Sequence, residues 1–291
     1  MQQSGTLYIV ATPIGNLDDA SSRMRQVLAA VDCIACEDTR HSGRLLTHLG
    51  IRKPLVSLHE HNEAERVPGL IAALASGENV ALVSDAGTPL LSDPGFPLVR
   101  SAVASGIPVC PVPGPNAAIA ALSASGIAPE PFRFLGFPPR QPGARRRYFE
   151  SLAEVEDTLI FYESIHRLAA TLADLCQTLG AERSACVGRE LTKRHEQLRH
   201  GDLAELADWA AHAPEARKGE AVIVVAGAPA NDPDEVLQGE GARAINTDAL
   251  LRALSEALAP RKAAQVAAKA TGLPKNALYQ RLLALKGDDS T

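Results

Sequence analysis

The sequence is poor in aromatic residues, 4% of 291, and no stretch comes near the roughly 18 consecutive apolar residues that cross a bilayer. A membrane-spanning helix is therefore not expected, and no aromatic ladder for stacking unpaired bases is visible. Hydrophobic residues make up 46% and charged residues 22%, which excludes a disordered or collagen-like chain. Neither a basic nor an apolar segment precedes Leu7, so no secretory signal is expected and the protein is expected in the cytoplasm. The five cysteines, at 33, 36, 110, 176 and 186, are odd in number and fit reduced thiols better than a disulfide framework. No G-x-G-x-x-G follows the first strand-like run and no G-x-x-x-x-G-K-[S/T] occurs, so dinucleotide and P-loop phosphate sites are not signalled. No G-x-S-x-G elbow supports hydrolysis by a serine triad.

What is present is an alternation of two periods. Val- and Ile-rich runs at Leu7 to Ala11, Cys33 to Cys36, Leu55 to Leu58, Val80 to Ser84 and Val109 to Val112 read as short buried strands. Between and after them, Ser21 to Val31, Ser42 to Leu49, Glu63 to Ala75, Phe96 to Ala104 and Asn116 to Ser125 carry apolar residues three and four apart, the helical spacing. That order predicts a parallel sheet covered on both faces, over residues 1–125. Gly126 to Gly143 holds five prolines and reads as a linker or extended crossing. A second, mixed α/β domain is expected over residues 126–230, with strands at Thr158 to Glu163, Ser184 to Arg189, Gln197 to His200 and Ala221 to Ala226. Helices are expected there at Arg167 to Leu179 and Leu203 to His212. Ala228 to Ala244, rich in Pro, Gly, Asn and Asp, reads as a further linker.

The tail, residues 245–291, breaks into three helical pieces, Asp248 to Leu258, Lys262 to Thr271 and Lys275 to Leu285, punctuated by Pro260, Gly272 and Pro274. Residues 257 to 287 contain six basic residues and no acid, so a formal charge of −5 divides into +6 there and −11 elsewhere. This helix-turn-helix outline fits nucleic-acid binding, with Lys269, Lys275 and Arg281 as candidate contacts, and equally a packed helical cap whose lysines are a solvated face.

In an open parallel sheet, ligands bind beyond the carboxyl ends of the strands. Each of the five strands runs into a polar, turn-bearing loop: Thr12-Pro13-Ile14-Gly15-Asn16, Glu37-Asp38-Thr39-Arg40, His59-Glu60-His61-Asn62-Glu63, Asp85-Ala86-Gly87-Thr88-Pro89 and Pro113-Gly114-Pro115-Asn116. Five such loops on one sheet edge make a cleft, in which glycine backbone could approach an adenosine or amino-acid moiety and Asp85 could answer a positive group. Cys33 and Cys36 have C-x-x-C spacing, but strand alternation sends them to opposite faces, so redox or zinc chemistry is not expected. His59 and His61 share a strand face without a third ligand set, and no metal is expected. Arg140, Arg145, Arg146 and Arg147 form either a solvated loop or a clamp for phosphates. Glu163 and Glu190, at the ends of second-domain strands, face the first domain's loops or pair with nearby arginines.

Taken together, E-D-T-R, H-E-H-N-E and S-D-A-G-T-P-x-x-S-D-P-G, with segments in order over about residues 6 to 228, resemble the tetrapyrrole methylase superfamily, and most nearly its members that methylate small-subunit ribosomal RNA. The resemblance implies an α/β chain of two tetrapyrrole-methylase-type domains with S-adenosylmethionine in the cleft between them, and a small C-terminal all-helical domain. It also implies a homodimer and 2′-O-methylation of a cytidine ribose in the decoding region of 16S rRNA. The first loop, Thr12-Pro13-Ile14-Gly15, lacks the glycine-rich character of corrin-modifying relatives, which favours RNA as the substrate. From loop position, Asp85, Gly87, Thr88, Pro113, Gly114, Asn116 and Ala117, together with Glu163, are expected to hold the donor. Asp38 is expected as base, Arg40 on a flanking phosphate, and His59 or His61 as alternative proton acceptors. Asp38 and Arg40 could equally form an ion pair that caps the following helix. Two other readings compete: a methyltransferase of the same superfamily acting on a small molecule or protein side chain, and a non-catalytic helix-turn-helix regulator that senses a metabolite.

Overall fold

The computed structural model describes residues 4–213, 219–229 and 247–288. The first sheet is built from β1 (Leu7–Val10), β2 (Cys33–Cys36), β3 (Leu55–Ser57), β4 (Val80–Val83) and β5 (Val109–Val112), in the order β3-β2-β4-β1-β5 with every pair parallel. Its central strands are apolar on both faces because both are covered. On one side α3 (Glu63–Ala75) and α4 (Phe96–Ala104) bring Leu70, Leu74, Leu98 and Ala102 against Leu7, Val80 and Leu82. On the other, α1 (Ser22–Ala30) and α2 (Thr39–His48) bring Met24, Leu28 and Leu46 against Val10, Ile34 and Val83. Cys33 packs with the first of these layers and Cys36 with the second, as alternation requires, and both are free thiols.

The second sheet is mixed. It comprises β6 (Phe132–Gly136), β7 (Thr158–Ser164), β8 (Ser184–Arg189), β9 (Gln197–Asp202) and β10 (Glu220–Val225), in the order β6-β7-β10-β8-β9, with only β6 and β7 parallel. One face is covered by α6 (Pro142–Glu150), α7 (Leu168–Leu179) and α8 (Leu203–His212), whose core includes Phe149, Leu172, Leu206 and Trp209 around Phe161 and Ile223. A capping box of Asp202 and Glu205 starts α8 straight out of β9.

Two sequence expectations need correcting. Gly126 to Gly143 is not a plain linker: β6 lies inside it, and its prolines flank the strand without interrupting it, which an edge strand tolerates. The helix expected at Asn116 to Ser125, α5 (Ala117–Ala124), packs its Ala118, Ala121 and Leu122 on the open face of the second sheet, against Ile160, Cys186 and Val222.

The residues fall into two compact units, up to Ala228 and from Pro229 onward. The second contains α9 (Thr247–Ala257), α10 (Pro260–Thr271) and α11 (Lys275–Asp288) around Leu251, Ala264, Leu278 and Leu282. Gly272 takes the left-handed conformation at φ 76° that ends α10. Arg281 binds Asp248 through two hydrogen bonds of 3.0 and 2.8 Å, so part of this unit's positive charge is answered within it. Among the described residues no helix is long and apolar enough to cross a membrane.

Candidate active site

The loops after β1 and β4 are fastened to each other. The Thr12 and Gly87 amides donate to one another's carbonyls at 2.9 and 3.1 Å. Gly87 sits at φ +81°, and a Cβ there would come within 3.3 Å of the Ile14 side chain, so a side chain is opposed by both backbone and space. Thr88 donates its hydroxyl to the Pro115 carbonyl at 3.1 Å, which joins the loop after β5 to the same assembly. The Gly87 amide is satisfied by the Thr12 carbonyl.

Against these loops stands the second sheet, and between the two lies a cavity of about 440 Å³, within the usual range of small-molecule sites. Its walls are largely apolar, from Ile14, Leu91, Phe137, Ile165, Leu191 and Val222. Of the eight residues expected to hold a donor, Asp85, Gly87, Thr88, Ala117 and Glu163 are in the wall; Pro113, Gly114 and Asn116 are not. Asn116 instead caps α5, its side chain accepting from the Ile119 amide at 3.1 Å. Gly114 lies where a Cβ would meet the Ala11 Cβ at 3.0 Å, so it serves the packing of β1 and β5. Glu163 needs a further correction, since its carboxylate is buried and bound by Thr171, the Ser164 amide and Arg167 at 2.6, 2.7 and 2.5 Å.

The carboxylate that sequence reasoning passed over is Asp93. It lies in the cavity wall on the loop from Thr88 to Gly95, where Leu90 and Ser92 both take positive φ, 76° and 71°. Non-glycine residues held there carry backbone strain, which has to be fixed by surrounding contacts. One such contact comes from Glu63, whose carboxylate accepts from the Gly95 amide at 2.6 Å and pins the end of the loop. Burial pushes the Asp93 carboxyl up to about 6, against the Ser84 hydroxyl, with the negative charges of Glu37 and Asp85 adding to the rise. Glu37 is raised for the same reasons, burial first and then Asp85.

Asp38 and Arg40 are placed differently. Asp38 caps α2, and its carboxylate takes the Arg40 amide at 2.8 Å and the Arg40 guanidinium at 3.2 and 3.0 Å. Those bonds hold its carboxyl down at about 2. Neither residue is in the wall of this cavity, and the Arg40 side chain is 87% exposed; their contacts are those of the capping ion pair, the alternative the sequence offered. His59 and His61, with rings 6.0 Å apart, also lie outside the wall. The His59 loop is closed by Asn62, which accepts from the His59 amide at 2.8 Å and donates to the Ser57 carbonyl at 3.1 Å.

Of the arginine cluster, Arg145 is only 3% exposed and binds Asp174 at 2.8 and 2.7 Å, so it cannot clamp a phosphate. The signal was there: Arg145, Phe149 and Leu152 are spaced as one inward stripe of a helix and the turn after it. Arg146 and Arg147 are exposed on α6, and Arg140 shares a pocket with Arg167 beside Phe137. Lys269, Lys275 and Arg281 are exposed on α10 and α11 of the C-terminal unit.

From the second domain, Lys193 reaches into the cavity wall. Its ammonium lies between Glu190 and Glu220 at 3.0 and 2.9 Å, and its stem crosses Gly15, where a Cβ would come within 2.3 Å of the lysine chain. Glycine in the first loop is therefore required by a residue far along the chain. Among the described residues no three metal-ligating side chains converge.

The family model for tetrapyrrole (corrin/porphyrin) methylases matches residues 6–207, and a model described as an RsmI C-terminal HTH domain matches 242–286. A curated protein of Pseudomonas aeruginosa named ribosomal RNA small subunit methyltransferase I is 50% identical over 284 residues, 98% of this chain and 99% of its own. One of that name from Xylella fastidiosa is 50% identical over 279 residues, 96% and 99% of the two chains. Among solved structures, the methyltransferase CobJ superposes with a TM-score of 0.58 at 19% identity, over 77% of this chain and 95% of that one, which is a likeness of fold.

Proposed function

The chain belongs to the tetrapyrrole methylase family, and within it we propose that it methylates the 2′-hydroxyl of a cytidine ribose in the decoding region of 16S rRNA, acting as a homodimer. It is a methyltransferase of ribosomal RNA, and its methyl donor is S-adenosylmethionine. The observation that supports small-subunit rRNA as the substrate is the whole-length match, which runs through the α/β body and the helical tail alike to relatives named as methyltransferases of small-subunit rRNA.

The residues present fit the donor. The apolar walls from Ile14, Leu91 and Leu191 suit its adenosine and carbon chain, and Asp85 and Asp93 give the cavity an acidic character that suits a sulfonium and an α-ammonium. S-adenosylmethionine, when bound, supplies an electrophilic methyl group. In-line attack by a ribose oxygen asks the protein for positioning first and for removal of the hydroxyl proton second. We assign that proton to Asp93, whose carboxylate lines the cavity and whose elevated pKa makes it a stronger base than an ordinary aspartate. Asp85, tied to the β2 loop by the Asp38 amide at 3.3 Å, is held beside it.

The test is transfer of labelled methyl to small ribosomal subunits lacking the modification, with naked 16S rRNA in parallel and mapping of the labelled nucleotide. Label on a decoding-region cytidine 2′-oxygen is expected. Label on a base nitrogen, on a protein, or on no RNA despite intact donor binding would overturn the reading.

A further inference from the structure

A second cavity, of about 330 Å³, adjoins the first and shares with it Ile14, Asp85, Ala86, Lys193 and Glu220. The two differ in their unshared side chains. Asp85, Lys193 and Glu220 border both, so the difference lies in what is not shared: Asp93 belongs to the first, and His41, Arg44 and His48 of α2 to the second. The helix explains the grouping: positions 41, 44 and 48 fall on one face, while Ser42 and Leu46 turn to the core on another. Pro13, Ile14, Leu17 and Leu45 supply an apolar floor beneath those basic groups. Arg44 is exposed, and among the described residues it has no carboxylate partner, unlike Arg40, Arg145 and Arg167.

We infer that this second cavity binds a phosphodiester and its nucleoside, with Arg44 holding the phosphate and His41 and His48 beside it. An apolar floor under a basic wall is the chemistry that takes a base and sugar below and an anion above, and a guanidinium answers a phosphate with two parallel bonds. The shared wall sets the acceptor against the donor, so a sugar hydroxyl lying over Asp85 would face the first cavity. The inference rests on the RNA reading above and names α2 as the element that positions the substrate. Arg44 acts as a positioning residue and takes no part in the proton transfer.

The test compares the full-length protein with Arg44→Ala, Arg44→Lys and the double variant His41→Gln/His48→Gln. Three quantities are measured: KM and kcat on unmodified small subunits, donor affinity by calorimetry, and binding of a single-stranded RNA oligonucleotide across a salt series. Arg44→Ala is expected to raise KM about tenfold with little change in kcat. Its log–log salt slope is expected to fall by about one, donor affinity and thermal midpoint staying as in the wild type. Arg44→Lys is expected to keep the salt slope and recover part of the KM, and the histidine pair to show a smaller rise in KM. An unchanged KM and salt slope in Arg44→Ala would overturn the inference, as would a loss of donor binding, which would make α2 part of the donor site. If the wild type methylates no RNA, the functional reading fails by itself. The oligonucleotide arm then decides separately, since an Arg44-dependent salt slope would uphold the anion site and an Arg44-independent one would end it.

Discussion

The loops after β2 and β4 leave the same edge of the same sheet, and each carries an aspartate, Asp38 just past Cys36 and Asp93 farther along the loop that follows Val83. In one, Asp38 folds back on Arg40 in solvent and is held at about 2; in the other, Asp93 is half-buried among carboxylates and stands at about 6. Residue type and sheet edge are shared, so the difference is one of environment. A carboxylate that has spent its charge on a neighbouring guanidinium and a helix amide is a poor proton acceptor, whereas one half-buried beside other carboxylates is a better one.

The sharpest way to break this contrast is Asp93→Asn. If Asp93 takes the ribose proton, kcat is expected to fall by roughly 10²–10⁴-fold with donor binding retained. In the wild type, kcat/KM is expected to rise with pH through about 6, and Asp93→Asn should flatten that limb. Stability runs the other way. The folded-state pKa lies above the ordinary value, so the contribution of this group is fully present below about 4 and is lost as pH rises through about 6, and the ionised form that works is the one the fold resists. Wild-type activity undiminished in Asp93→Asn would remove the assignment.

The same lesson extends to the arginines, whose surroundings divide Arg145 from Arg146. Removing the guanidinium in Arg145→Ala leaves the buried Asp174 only the longer contact to Arg146 at 3.5 Å and is expected to cost about 3–5 kcal/mol in urea unfolding, while Arg146→Ala, which keeps the 2.7 Å pair with Arg145, stays within about 0.5. Equal, small losses in both would mean that Asp174 finds water in place of its partner.

The smallest effect is expected from Asp38→Asn, which keeps an oxygen for the Arg40 amide and should turn over within about twofold of the wild type. A large loss of kcat there would reverse the comparison and return the base to the β2 loop.

Much of the fold was legible because the first sheet announces itself: β2 was read to the residue, and the alternation of strand and helix implies parallel strands. What was missed has physical causes. β6 lay among five prolines that normally end structure, and only its place at a sheet edge makes them tolerable. α5 is apolar on nearly all sides, so its sequence does not say which sheet it covers, and the structure gives it to the second. At the site, loop position led to Asp85, Gly87, Thr88 and Ala117, which line the first cavity. Asp93 was hidden in S-D-P-G, which reads as a turn, because burial and like charges depend on neighbours distant in sequence such as Glu37. Lys193 could not be found from the first loop, although the glycine at 15 exists to let it pass.

The wall common to the two cavities has a consequence for inhibition. Since Ile14, Asp85, Ala86, Lys193 and Glu220 border both spaces, a ligand in one is a short covalent link from a ligand in the other. Joining a cationic adenosine fragment to an anionic nucleotide fragment would turn the second encounter into an intramolecular one. Such linkage can raise affinity by 10²–10⁴-fold without a new contact, provided the tether spans the wall unstrained. Compounds of that bipartite kind would engage Asp93 on one side and Arg44 on the other, a combination that a ligand of the donor compartment alone does not require.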